Sequence, residues 1–502
     1  MSVRTLPAFL LLAAALVPAC SPRRAHTPPP VDPEPVVAPL AEAPEPVVLE
    51  MEAALANRTV EAGTAGEVLA RIRIVSPESG NGERPRANIG LVVDTSASME
   101  GEAIEQARGA ALTLLDGLRD GDVLSVVTFG SVVEVLVPAT VLDAQSRPHI
   151  RTALGAMRAT GTTNLAEGLG QGLQQVQSQA RGGEINRIVL LSDGVPNDES
   201  PVHGYIELAR NSGISITALG LGLEYHETLL GQIAQGSGGN FHFVEDPAEV
   251  AKVFGQEVLS IDRLAARAVS LTLTPGPGVS IVEVPGHAMN HSGHDVVLAL
   301  PDMIEGDVHQ VIVRLAVAEH RDGATVEMFD GVVNYADART NLGQSVRTFL
   351  SAKATADAEQ RAAGVDLEVA VAAARATTAA ATLEIVALAR GGQVKAATAK
   401  LDDTVKAARD LSQQVPDPQL AKLVDDLVEL RPTLAGLAPK PVAAARGGKS
   451  KGKASMDGGE DLVEVLDTGT GAVMVAPEPM APSAARGVRQ SHERAFRTLH
   501  DG

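Results

Sequence analysis

Three oxygen-bearing side chains stand at alternate positions in Asp94-Thr95-Ser96-Ala97-Ser98. Carboxylate and hydroxyl oxygens are hard ligands, suited to Mg²⁺, Ca²⁺ or Mn²⁺ and poorly suited to a thiophilic metal. The apolar run Ile89 to Val93 before them reads as a strand buried on both faces. A helical pattern follows from about Glu102. The three side chains therefore fall in the loop at the carboxyl end of a strand, where open α/β sheets bind their ligands. A curling loop lets them converge. Alone, this spacing is a common accident, and Ser96 and Ser98 read equally well as a helix cap. Two further pieces stand downstream: Thr163 in Gly161-Thr162-Thr163-Asn164 and Asp193 in Leu191-Ser192-Asp193-Gly194. Singly, Asp193-Gly194 reads as a turn.

Together, in this order, the three motifs resemble the metal-ion-dependent adhesion site of the von Willebrand factor type A (VWA) domain family. The resemblance covers about residues 86 to 260, about a third of the chain. It implies that Ser96 and Ser98 bind a divalent ion directly and that Asp94 binds largely through water while orienting the serines. It implies direct ligation by Thr163 in the ligand-binding state, and ligation by Asp193 through water. With few protein carboxylates on the ion, the metal stays electrophilic and accepts an acidic side chain from a partner. Mg²⁺ is the expected ion, with Mn²⁺ or Ca²⁺ as alternatives. Ala97 replaces the glycine often found between the serines, which is tolerable if its φ is not positive.

Other candidate motifs fail inspection. His226-Glu227 and His492-Glu493 each begin an H-E-x-x-H pattern, but Leu230 and Phe496 stand where the second histidine belongs. Gly448-Lys449-Ser450 resembles the end of a phosphate loop, yet Ala443 replaces its first glycine and no strand precedes it. Gly236-Ser237-Gly238-Gly239 lacks the nucleophile-elbow pattern and reads as a turn. His242, between Phe241 and Phe243, reads as a structural histidine. No Ser/His/Asp set can be assembled.

The composition narrows the partners. The 502-residue chain carries 42 Lys and Arg against 62 Asp and Glu, a net charge of −20, and no long basic block. Nucleic acid is thereby disfavoured. Aromatic residues are 2% of the chain and Trp is absent, so stacking platforms for single strands are disfavoured too. The single cysteine, Cys20, cannot form an internal disulfide. It follows Arg4, an apolar stretch from about Pro7 to Val17, and Pro18-Ala19. That stretch is shorter than the ~20 residues of a spanning helix and fits a signal peptide. Its end resembles a bacterial lipobox, with Cys20 as the lipidated residue; Ser21 resembles lipoproteins sent to the outer membrane. An ordinary secretory signal with a chance cysteine is the alternative.

The elements that must position these residues follow in order. Residues 1–20 read as the signal peptide and 21–46 as a Pro-rich tether. Residues 47–86 read as strands; Ala70, Ile72 and Ile74 alternate with charged neighbours. Residues 87–260 alternate strand and helix, which predicts a doubly wound, mostly parallel α/β sheet with one antiparallel hairpin near Phe129 and Val132. Residues 262–345 return to period two, as at Val269, Leu271 and Leu273, and are expected to join 47–86 in one β-sandwich into which the VWA domain is inserted. Residues 346–438 read as a small Ala-rich helical unit, broken at Gly391-Gly392 and Pro416-Asp417-Pro418. Residues 439–502 read as a low-complexity, disordered tail.

The expectation is therefore a non-enzymatic binding protein of the bacterial cell envelope, lipid-anchored and probing an acidic group of a protein partner through a divalent ion. The alternative is a structural assembly module whose metal only stiffens the loops. An enzyme is disfavoured because neither a motor motif nor a nucleophile can be found.

Overall fold

The computed structural model describes residues 48–78, 84–181, 183–195, 198, 200–222, 225–437 and 482–500, with short strand segments between 440 and 475. Its centre is the strand Ala87–Asp94, buried along its whole length. Ile89, Leu91 and Val93 face the helices Glu102–Gly117 and Val250–Asp262. Val92 faces the helix Leu165–Gln179 on the other side. A strand covered on both faces must be apolar throughout, which is why this one reads as a continuous run. On the second face the approach is close enough to require glycine. A Cβ at Gly90 would meet Val176 Cγ2 at 2.6 Å, and one at Gly172 would meet Val92 Cγ2 at 2.4 Å.

Six strands form this sheet, in the spatial order Val133–Val141, Val123–Phe129, Ala87–Asp94, Ile185–Ser192, Ile214–Leu221 and Phe241–Val244. All neighbours are parallel except the hairpin Val123–Phe129/Val133–Val141. Parallel pairing sends Asp94, Phe129 and Ser192 to the same sheet edge. The doubly wound fold and its hairpin are those expected.

The flanking strands form two packed sheets. One runs in the order Glu50–Leu55, Gly66–Val75, Val308–Val317, Val279–Glu283. Gly66–Val75 pairs with Val308–Val317 so that Ile72 lies beside Val311 and Ala70 beside Val313. The other is built on Leu264–Pro275, Thr325–Asp337 and Gly343–Thr355, with Thr59–Glu61 at one edge and Asp295–Ala299 toward the other. Ala70, Ile72 and Ile74 share a core with Leu271, Leu273, Val311 and Met328. The α/β domain is thus inserted in this sandwich.

Two expected boundaries are corrected. The segment 346–355, read as the start of the helical unit, completes the strand Gly343–Thr355. Leu350, Ala352, Ala354 and Thr355 are the buried positions there, and only one of the four is large and apolar, so the period-two signal is faint. The helical unit begins at Ala358 and consists mainly of Leu367–Arg390, Val394–Gln414 and Pro418–Leu430. Asp366 and Asp417 cap two of these helices, accepting from the amides of Val369 and Leu420. Leu401, Val405 and Ala408 meet Leu420, Leu427 and Leu430 across their interface.

The second correction lies in the segment read as a tail. Its end, Pro482–His500, is a 19-residue helix. Val488 enters the helical unit, Phe496 enters the α/β core, and Ala495 and Leu499 pack with Ile312 of the sandwich. One amphipathic helix therefore touches all three parts. Cys20 and the Pro-rich stretch lie outside the described residues.

Candidate functional site

The loop after Ala87–Asp94 is held by backbone bonds to its neighbours. The Thr95 amide donates to the Phe129 carbonyl at 2.8 Å. The Ala97 amide donates to the Gly161 carbonyl at 2.9 Å, and the Thr160 amide to the Thr95 carbonyl at 2.6 Å. The last two bonds clamp the Asp94–Ser98 loop to the Thr160–Thr163 loop. Gly161 sits at φ +82°, and a Cβ there would also strike Ser131 Oγ, which accepts from the Thr162 amide at 2.9 Å. Glycine is needed at that turn on both counts. Ala97 is tolerated at its position: among the described residues only Ala268 and Asn341 are non-glycine residues at positive φ.

The structure brings the five predicted residues together. Asp94 is fully buried; its Oδ1 accepts from the Ser96 amide at 2.9 Å. Ser96 Oγ and Ser98 Oγ are 3.0 Å apart. Ser98 Oγ donates to Asp193 Oδ1 at 2.8 Å. Thr163 is buried over Gly194, where a Cβ would lie 2.8 Å from Thr163 Oγ1. Ser98 is exposed, so the cluster opens to solvent on one side.

Its electrostatics are unbalanced. Burial, followed by the charge of Asp94, pushes the Asp193 carboxyl up to about 7. Burial raises Asp94 as well, against the hydrogen bonds it accepts. Among the described residues no Lys, Arg or His forms an ion pair with either acid. Two carboxylates beside hydroxyls alone favour a cation from solution. The donors are all oxygen, so the set fits a hard divalent ion. Asp94, Ser96, Ser98, Thr163 and Asp193 would hold it, and it would supply an electrophilic centre for an anionic ligand.

Ser192 was missed by sequence reasoning. Its Oγ donates to Asp94 Oδ2 at 2.9 Å, fixing the second carboxylate oxygen. The available signal was its position: a hydroxyl next to Asp193, at the end of a strand adjacent in space to that of Asp94. The rejected motifs serve structure. His226 caps the helix Glu227–Ser237 by accepting from the Leu229 amide at 3.0 Å. Glu227 pairs with Arg390 and Arg489, and His492 packs against the Phe241 ring. His242 faces the Glu257 carboxylate at 3.4 Å. Gly448-Lys449-Ser450 lies outside the described residues.

Comparison with known proteins bears on the fold that carries this site. Residues 88–256 match the model for the von Willebrand factor type A domain. The Escherichia coli K12 protein YfbK is 27% identical over 196 residues, which is 38% of this chain and 34% of that protein. The Synechocystis protein sll0103 is 26% identical over 242 residues, 47% of this chain and 56% of that protein. The chain thus spans about a third and somewhat over half of these relatives. A solved von Willebrand factor type A structure from Catenulispora acidiphila superposes with a TM-score of 0.66 at 17% identity, covering 92% of this chain and 99% of that one. The ArnB paralog VWA2 from Sulfolobus acidocaldarius superposes with a TM-score of 0.52 at 18% identity, covering 78% and 96%. These likenesses show the fold. VWA domains often bind a divalent ion at such a site and generally mediate protein–protein contacts. Residues 88–256 of this chain are a von Willebrand factor type A domain.

Proposed function

We propose that this chain is a non-enzymatic binding protein of the bacterial cell envelope, anchored through a lipidated Cys20. Its VWA domain holds a divalent ion, Mg²⁺ first, at Asp94, Ser96, Ser98, Thr163 and Asp193, and the ion takes an Asp or Glu from a protein partner. The observation that carries this reading is two buried acids and three hydroxyls converging at one sheet edge with no fixed cation among the described residues to balance them. The exposed Ser98 gives a partner's carboxylate a route to the ion. The test is calorimetric titration of the full chain with Mg²⁺ and Mn²⁺, beside Ser96→Ala/Ser98→Ala. Binding in the parent and none in the variant is expected; no binding in either would overturn the reading. Partner capture from envelope extracts should then disappear on adding EDTA. Capture that survives EDTA would instead favour an assembly module. Cys20→Ser should move the protein out of the membrane fraction, and unchanged association would rule out the lipid anchor.

A further inference from the structure

A second cluster of ligand-type side chains lies away from the VWA site. His287 sits in the turn after the strand Val279–Glu283, His309 on the strand Val308–Val317, and His500 at the end of the helix Pro482–His500. One ring nitrogen of each lies within 4.8 Å of the other two. The rings face one another closely, with centroids 6.3 Å apart for His287 and His309 and 5.2 Å for His287 and His500. The Nε2 atoms of all three are buried, and none has a hydrogen-bond partner among the described residues. Buried imidazole nitrogens are normally satisfied, so three orphans converging on one point call for a common partner.

The surroundings suit a metal. His287 Nδ1 lies 3.1 Å from the Pro285 carbonyl. A backbone hydrogen bond ties the His309 ring to His500. Such outer bonds fix the ring that ligates and aim its other nitrogen inward. Burial keeps all three rings in the neutral form that coordinates. Zn–N bonds of about 2.0–2.1 Å in a tetrahedron place nitrogens about 3.4 Å apart, so the rings need close by no more than about 1.4 Å. Imidazole nitrogen also separates this site from the all-oxygen VWA cluster.

We infer that His287, His309 and His500 bind one transition-metal ion of the zinc class and that this ion fastens the C-terminal helix to the sandwich. Leu499 already seats that helix end: a Cβ on Gly286 would come within 2.7 Å of Leu499 Cδ1. Three histidines leave a fourth coordination position for water or an exogenous ligand.

The test uses the full chain without a polyhistidine tag. It is stripped with chelator, loaded with Zn²⁺ or Co²⁺, dialysed and assayed for metal content. The parent should retain about one ion per chain more than His309→Gln or His500→Gln. The Co²⁺ form should show the visible absorption of a four-coordinate nitrogen site, lost in both variants. Zn²⁺ should raise the melting temperature of the parent but not of the variants. His500→Gln is the safer variant because it changes only the last helical residue, and circular dichroism confirms its folding. Ser98→Ala should retain the four-coordinate Co²⁺ signal, which separates this site from the VWA ion. Equal zinc content in parent and folded variants, or a Co²⁺ signal that persists in them, would overturn the inference.

Discussion

The two ends of the six-stranded VWA sheet handle buried charge in opposite ways. Near the amino ends of the strands, Arg187 is buried and meets Glu257 at 3.2 Å and Asp302 at 3.2 Å. Thr217 Oγ1 adds a bond to Glu257 at 2.9 Å. His242 and Arg187 outweigh the burial of Glu257 and hold its carboxyl at about 2. At the carboxyl ends, Asp94 and Asp193 meet only hydroxyls and amides among the described residues, and Asp193 is pushed up to about 7. A buried acid with a fixed partner is part of the scaffold. A buried acid without one stores an electrostatic demand that a mobile cation can meet.

The largest test breaks the balanced end. Arg187→Ala strands Glu257 and Asp302 and should cost about 3–5 kcal/mol in urea unfolding. A loss under 1 kcal/mol would mean that the network is not the scaffold described. The pH dependence should then separate the two ends by sign. Asp193 is raised in the folded state, so its contribution is fully present below the unfolded carboxylate range, near 4, and is lost as pH rises through about 7. Glu257 is lowered, so its contribution is present above that range and is lost as pH falls through about 2. In EDTA, Asp193→Asn should remove a decline in stability between pH 4 and 7, on the order of 3 kcal/mol. If parent and variant show the same pH profile, Asp193 does not carry this charge penalty.

Ligand linkage sharpens the contrast next. Mg²⁺ at 100 times its Kd should stabilise the parent by about 2.7 kcal/mol. Asp94→Asn should lose that gain, and Mg²⁺ affinity in the parent should weaken below pH 7 as the ion competes with the Asp193 proton. A full Mg²⁺ gain in Asp94→Asn would move the ion elsewhere. The smallest effect belongs to exposed charge. Arg151→Ala breaks a pair with Asp116 whose side chains are 50% and 58% exposed, and should change stability by less than about 1 kcal/mol.

Legibility followed the strength of the local pattern. The strand Ala87–Asp94 and the helix Glu102–Gly117 lie where the sequence placed them, because buried strands and amphipathic helices write strong periodicities. The strand through 346–355 escaped because Ala352 and Ala354 turn a small, weakly hydrophobic face inward. The helix Pro482–His500 escaped because its apolar stripe, Ala485, Val488, Phe496 and Leu499, is interrupted by charge and by His492. That helix is stabilised by what it touches, including the ion pair of Arg489 with Glu227 at 3.1 Å.

By itself the sequence determined the doubly wound domain, its insertion in a sandwich and the convergence of Asp94, Ser96, Ser98, Thr163 and Asp193 at one end of the sheet. All of these rest on periodicity, or on short motifs at strand ends where topology leaves little choice. Only the tertiary structure decided which charges would be balanced. Arg187, Glu257 and Asp302 are scattered along the chain, as are His287, His309 and His500, and no local pattern pairs them. Their proximity is set by how the sheet, the sandwich and the last helix pack, and burial then fixes what each ionisable group can do.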